Sequence, residues 1–233
     1  MLRDAPREGP GERDGGAPAR PRFTAAVASL FGRGPFALAV VYWGILGIAG
    51  WVVAGWMPTY VKEVFHLRQG AAGLSSTGFS SVPTILGVLI GGAWADRWSR
   101  RHGRGRIFVT VIGLAAAAPG ILIAAHAGSV ALAMAGLVLF GLARSFADAN
   151  MMPILCLVSD PRYRATGYGI LNATACLVGG LAIYAGGALR DAAVDIRRIF
   201  DLAGVILLAC SGMLLLLRPR PHPGEGPAPG VGP

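Results

Sequence analysis

From Pro35 to Val61 the chain carries no charged side chain, and from Gln69 to Ala95 it again carries none. Each run exceeds the ~20 residues that cross about 30 Å of hydrocarbon as a helix. Four more follow: Ile107 to Ala125, Val130 to about Val158 after the turn His126-Ala-Gly-Ser129, Ala165 to Leu189, and Ile199 to Leu217 with Asp201 near its start. A lipid-facing strand would alternate polar and apolar residues over about ten positions. Uninterrupted runs therefore read as helices, whose backbone polar groups are satisfied within the segment. The expected fold is an all-α membrane protein with six transmembrane helices.

The basic residues sort onto alternate connections. On one side fall Arg3 to Arg33, Arg97 to Arg106, Arg162, Arg164, Arg218 and Arg220; on the other fall Lys62, Arg68, Arg190, Arg197 and Arg198, interspersed with Glu63, Asp191 and Asp195. The positive-inside rule then predicts a multi-pass protein of the inner (cytoplasmic) cell membrane with both termini cytoplasmic. Residues 1–34 form a cytoplasmic basic segment, 35–217 the membrane domain, and 218–233 a cytoplasmic Pro/Gly-rich tail. Within the first, residues 1–22 are too rich in Arg, Gly, Pro and acid to offset the entropy of ordering, and read as disordered. The stretch FTAAVASLF, Phe23 to Phe31, reads either as a short amphipathic helix on the membrane surface or as a flexible lead-in. No signal-peptide core precedes the first span.

Composition agrees: 54% of residues are hydrophobic and 14% charged, with a mean hydropathy of +0.56, where soluble domains carry about a quarter charged residues. A net charge of +9 raises the question of nucleic acid. The basic residues lie between apolar runs, not in a stripe interleaved with exposed aromatics, so no nucleic-acid partner is expected. Cys156, Cys176 and Cys210 sit in apolar runs without metal-ligand spacing and read as packing residues. His66, His102, His126 and His222 fall in loops, a turn or the tail. No nucleophile elbow, phosphate loop or zinc helix occurs, Gly103-Arg-Gly105 is too short and basic for a dinucleotide, and the acceptor-like Asn172-Ala-Thr174 lies in a span. Neither an enzyme, a metal nor a cofactor is expected.

Small residues recur at helical spacing, as Gly47 with Gly50 and Ala54, Gly87 with Gly91, and Gly179-Gly180 with Ile183-Tyr184, and read as close helix contacts. Pro83 and Pro153 interrupt the second and fourth spans, as bends beside a pathway would. Trp51 and Trp56, toward the outer end of the first span, read as interfacial belt residues.

The connection after the second span reads Gly91-Gly-Ala-Trp-Ala-Asp96-Arg97-Trp-Ser99-Arg100-Arg101. It resembles the major facilitator superfamily motif of a glycine, three residues, Asp-Arg, then a glycine and a basic pair. On that reading Gly92 permits close helix contact, Asp96 accepts charge-assisted hydrogen bonds, and Arg97, Arg100 and Arg101 hold the loop at an anionic face. Ser99 stands where the family has glycine, as in the more variable C-terminal copy. A plain topogenic loop explains Arg97 to Arg106 but not the Gly92–Asp96 spacing. Pro161-Arg-Tyr-Arg164-Ala-Thr-Gly167, with Arg162, resembles the family's loop between its tenth and eleventh helices, and Phe23 to Pro35 resembles the surface helix joining its halves. With Trp56-Met-Pro58-Thr-Tyr60 closing the first span, these matches cover most of residues 23–217. The resemblance implies half of a major facilitator fold, the C-terminal six helices as two inverted three-helix repeats flanking a site near the midplane. Within the family the resemblance is to the anion:cation symporters, which handle organic anions such as hexuronates.

Arg144 and Asp148 lie in the middle of the fourth span, where a charge costs at least about 2.5–3.5 kcal/mol unless it meets a partner or a wet cavity. At i and i+4 they share one helical face, with Gly141, Ser145 and Met152. Two readings stand. Arg144 binds an anionic group while Asp148 competes for it or carries a proton, or the two form a structural ion pair. Tyr42, Trp43, Asn150, Asn172 and Tyr184 are further candidates for a polar or aromatic cavity wall.

The expected function is therefore a secondary active transporter half moving a small organic anion or sugar acid by alternating access, coupled to protons or cations. Its partners would be the solute, the lipid bilayer, and an N-terminal six-helix half or a second copy of the chain. The alternatives are a non-transporting scaffold or sensor and an inactive truncated remnant.

Overall fold

The computed structural model describes residues 23–216. The expectations for residues 1–22 and 217–233, including Arg3 to Arg22, the end of the sixth span at Leu217, Arg218, Arg220 and His222, lie outside them. The described residues form seven α-helices: α1 (Phe23–Phe31), α2 (Gly34–Phe65), α3 (Gln69–Ser99), α4 (Gly105–His126), α5 (Val130–Val158), α6 (Arg164–Asp191) and α7 (Ile196–Leu215). A 3₁₀ turn, Pro161–Tyr163, leads into α6. Helices α2 to α7 are each long and apolar enough to span a bilayer.

Most of the helices outrun the charge-free stretches that announce them, because a charge marks the edge of the hydrocarbon and not the end of backbone hydrogen bonding. The ends follow capping instead. Pro35 occupies the first turn of α2, and His66, at φ 53°, closes it in the left-handed conformation. The Ser129 hydroxyl accepts from the Leu132 N–H at the start of α5, and the Asp195 carboxylate accepts from the Arg197 N–H at 2.8 Å, so that α7 begins at Ile196 and not Ile199. Pro83 and Pro153 lie inside continuous helices. Phe23–Phe31 is helical: α1 buries Ala26 and Leu30, and its Phe31 ring meets Phe36 edge-on.

Two parallel helix pairs organise the bundle. In the first, Arg33 donates to Asp160 at 3.1 Å, Trp56 Nε1 to the Ile183 carbonyl at 3.2 Å, and Arg190 to Glu63 at 2.7 Å; the partners are 127 residues apart each time. One constant offset over the length of α2 and α6 means that they run side by side without slip. Between those contacts, a Cβ on Gly47 would lie 2.5 Å from the Ala175 carbonyl oxygen, and Gly179 lies under the Trp51 ring. Trp51 and Trp56, expected as belt residues, are packed on α6, with Trp56 over Gly186. In the second pair, Gly87 of α3 meets the Leu142 carbonyl and the Ser145 hydroxyl of α5, and Gly141 meets the Ser80 carbonyl. Backbones this close suit association in lipid, where van der Waals contact does the work that water does elsewhere.

Helix α4 runs antiparallel to α5 through Gly120 and Gly136 and carries α7 on its other side. Tyr60 anchors this layer, donating to the Ala125 carbonyl at 2.7 Å with its ring 5.5 Å from Phe200. The pairing of spans one and five is matched by that of spans four and two, the relation that two inverted three-helix repeats produce. Helices α3 and α6 are the least covered spans, 22% and 17% buried against 44–56% for the others.

Candidate functional site

A cavity of about 380 Å³ opens between the two parallel pairs, lined by α2, α3, α5 and α6. Helical period decides which residues reach it. On α2, Trp43, Gly47, Gly50 and Ala54 form one stripe facing the cavity, whereas Tyr42, Ala49 and Tyr60, fully buried, lie about 100° round toward the core. On α5 the stripe is Gly141, Arg144, Asp148 and Met151.

Arg144 Nη1 donates to Asp148 Oδ2 at 2.7 Å, one turn on. The pair is neither sealed nor fully wet: the side chains are 24% and 39% exposed. The guanidinium lies broadside against α2, where Gly50 has no side chain to obstruct it. Its Nε is buried and meets no acceptor among the described residues. Asn172, on α6, lines the same cavity and its amide is unengaged among the described residues. Trp43 and Trp51 supply aromatic wall, and Ser80, Ser81 and Thr84 of α3 supply hydroxyls.

The structure thus brings together four of the expected pathway residues: Arg144, Asp148, Trp43 and Asn172. Tyr42 and Asn150 stand elsewhere. Tyr42 is buried edge-on to Trp43 with centroids 4.7 Å apart, and Asn150 is buried on another face of α5, donating to the Phe146 carbonyl. Of the residues expected on the Arg144 face, Ser145 is buried against Gly87, and Met152 is exposed while Met151 reaches the cavity. Tyr184 points away from the bundle, 78% exposed. Cys176, read as a packing residue, is exposed on the cavity wall. The hydroxyls of Ser80, Ser81 and Thr84 were missed by the sequence reading, although the cluster of Ser and Thr in an otherwise apolar run is the signal that marks them.

At the arginine-rich end, Asp96 pairs with Arg106 at 2.7 Å and not with the arginines that follow it. Gly92, expected at a close helix contact, has open space where a Cβ would stand; Gly91 fills that role, against the Phe146 ring. One residue's shift is about 100° on a helix, enough to exchange the packed face for the open one. Ser99 donates to the Ala95 carbonyl. Arg97, Arg100 and Arg101 are exposed. In the second loop Asp160 accepts from the Arg162 N–H at 3.0 Å as well as from Arg33, Arg164 is half-buried at the start of α6, and Gly167 lies where Phe36 and Leu155 converge.

Chemically, the cavity offers a forked cation, a carboxylate that shares it, an amide, hydroxyls and indole faces. A guanidinium fork matches the two oxygens of a carboxylate.

Residues 44–233 match the family model of the Major Facilitator Superfamily. No curated protein sequence matches the chain. Among solved structures, the chain is similar to a bacterial homolog of the human lysosomal transporter Spinster, captured inward-facing and unoccupied, at 16% identity and a TM-score of 0.60, covering 91% of this chain and 52% of that one. It is also similar to the E. coli fucose:proton symporter, at 18% identity and a TM-score of 0.66, covering 87% of this chain and 47% of that one. The chain spans about half the length of these transporters, and the likeness is one of fold.

Proposed function

This chain belongs to the major facilitator superfamily, and from that premise we propose that it is the C-terminal six-helix half of a secondary active transporter for a small organic anion or sugar acid. The observation that carries the reading is Arg144, paired with Asp148 in a cavity whose remaining walls are indoles, hydroxyls and an amide. A sugar acid has matching parts: a carboxylate for the guanidinium, hydroxyls for Asn172, Ser81 and Thr84, and an apolar ring face for Trp43 or Trp51.

Coupling follows from sharing one cation. While Asp148 is ionised it occupies part of the Arg144 fork; protonation of Asp148 releases the guanidinium to a substrate carboxylate, so that anion and proton are taken up together. The coarse spread of arginines sets the Arg100 end in the cytoplasm. Alternating access needs a second wall, supplied by an N-terminal six-helix half or a second copy packed beside α3 and α6, the two least covered spans.

The test is uptake of radiolabelled hexuronate into proteoliposomes holding the chain together with its complementary half. Arg144→Ala and Asp148→Ala should each reduce uptake to background. Normal rates in both variants would overturn the site. Absent uptake with intact folding in every version would favour a scaffold, a sensor or a remnant without transport.

A further inference from the structure

At the arginine-rich end of α3, outside the cavity, Trp94, Arg97, Trp98 and Arg101 enclose a cleft of about 240 Å³. Trp94, Arg97 and Trp98, at i, i+3 and i+4, share one face of α3, and the turn that follows it, closed by the Arg101 N–H donating to the Trp98 carbonyl at 3.1 Å, sets Arg101 beside them. The two indoles stack with centroids 5.9 Å apart and planes within 9°. Each is braced by another helix: Trp94 meets Phe146 of α5 edge-on at 6.0 Å, and Trp98 leans on Phe108 of α4 at 5.9 Å. The aromatic surface is therefore fixed in place before any ligand arrives.

Among the described residues, no carboxylate pairs with Arg97 or Arg101 beside it. Both are exposed, while the adjacent Asp96 is engaged by Arg106 at 2.7 Å. The charge-free run of α3 ends at Ala95, which sets the cleft where hydrocarbon gives way to headgroups. Indoles favour that depth, and guanidinium forks match phosphate oxygens. We infer that Trp94, Arg97, Trp98 and Arg101 bind the phosphate of an anionic phospholipid, the two guanidiniums donating to its oxygens and the stacked indoles covering the glycerol and upper acyl chain. Free phosphate would satisfy the arginines but leave the indoles bare. The inference needs that α3 spans the bilayer and that the cleft at its end stays open to lipid beside any second half, and it does not depend on what the cavity transports.

The experiment is native mass spectrometry of the delipidated full chain titrated with phosphatidylglycerol. The chain should retain this lipid in preference to phosphatidylcholine. Arg97→Gln with Arg101→Gln should weaken retention about 25-fold, at roughly fivefold per basic residue. Arg100→Gln, which removes the same charge without lining the cleft, should weaken it less than Arg97→Gln or Arg101→Gln alone, because it loses the general attraction of a nearby charge and no hydrogen bond to the phosphate. Arg97→Lys with Arg101→Lys keeps the charge that membrane insertion requires and should still lose affinity, because an ammonium meets phosphate as a point charge. The inference is overturned if the double glutamine variant or the double lysine variant binds like the parent, if Arg100→Gln weakens binding as much as Arg97→Gln or Arg101→Gln alone, if phosphatidylcholine binds equally well, or if inorganic phosphate displaces the lipid at equal concentration.

Discussion

A Cβ placed on Gly50 would lie 2.9 Å from Nη2 of Arg144 and 3.2 Å from its Cζ and Nε, so the arginine in the middle of α5 rests on bare backbone of the neighbouring helix. The side chain that α2 omits there is what lets the guanidinium reach the cavity with one fork held by Asp148. Gly50 thus acts on the site through Arg144 and not through packing between backbones.

Gly50→Ala should therefore separate binding from stability. The atoms it meets are the far end of a flexible side chain, which can withdraw, so the unfolding free energy should shift by no more than about 1 kcal/mol. Losing one charge-assisted hydrogen bond costs about 1.5–3 kcal/mol, or roughly 10- to 100-fold in affinity. Fluorescence of the cavity tryptophans, titrated with a hexuronate, reads the affinity, and thermal unfolding in detergent reads the stability. Equal losses in both would mean that Gly50 serves packing alone.

Cys176 and Cys210 provide a second check on the cavity. The first is exposed on its wall and the second is buried at 1% exposure between helices. A water-soluble maleimide should label Cys176 in the folded protein and reach Cys210 only after denaturation. Asp148→Asn leaves Arg144 unbalanced, and should shift the rate ratio at Cys176 toward an anionic thiol reagent over a cationic one by roughly tenfold at low ionic strength. An unchanged ratio would place Arg144 outside the space that the reagent samples.

The spans were legible from charge alone, because crossing hydrocarbon excludes ionised side chains over a length that few soluble segments reach. Arg144 and Asp148 were legible for the same reason: they break that exclusion. The rest of the site depends on facing, which one sequence states only to within a residue. Tyr42 and Trp43 are equally plausible as text, and both are buried, yet only Trp43 also lines the cavity. Met151 and Met152 divide in the same way. The hydroxyls on α3 and the glycine at position 50 become part of the site only when α3 and α2 are set beside α5, a relation between helices that no local pattern contains.

Gly91 and Gly92 turn that ambiguity into a test of the loop motif. A Cβ on Gly91 would lie 2.6 Å from the Phe146 ring and 3.1 Å from the Phe146 Cα, whereas nothing lies within 4 Å of one on Gly92. Phe146 cannot withdraw freely, because its ring also carries Trp94 edge-on at 6.0 Å. Gly91→Ala should destabilise the protein by about 1–3 kcal/mol, as overpacking does. Gly92→Ala should be neutral or gain up to about 1 kcal/mol from helix propensity. Thermal unfolding of the two variants in the same detergent distinguishes them. If Gly92→Ala were the damaging change, the Gly92–Asp96 spacing and not Gly91 would mark the packed contact at this end of α3, and the assignment of Gly91 to that role would fall.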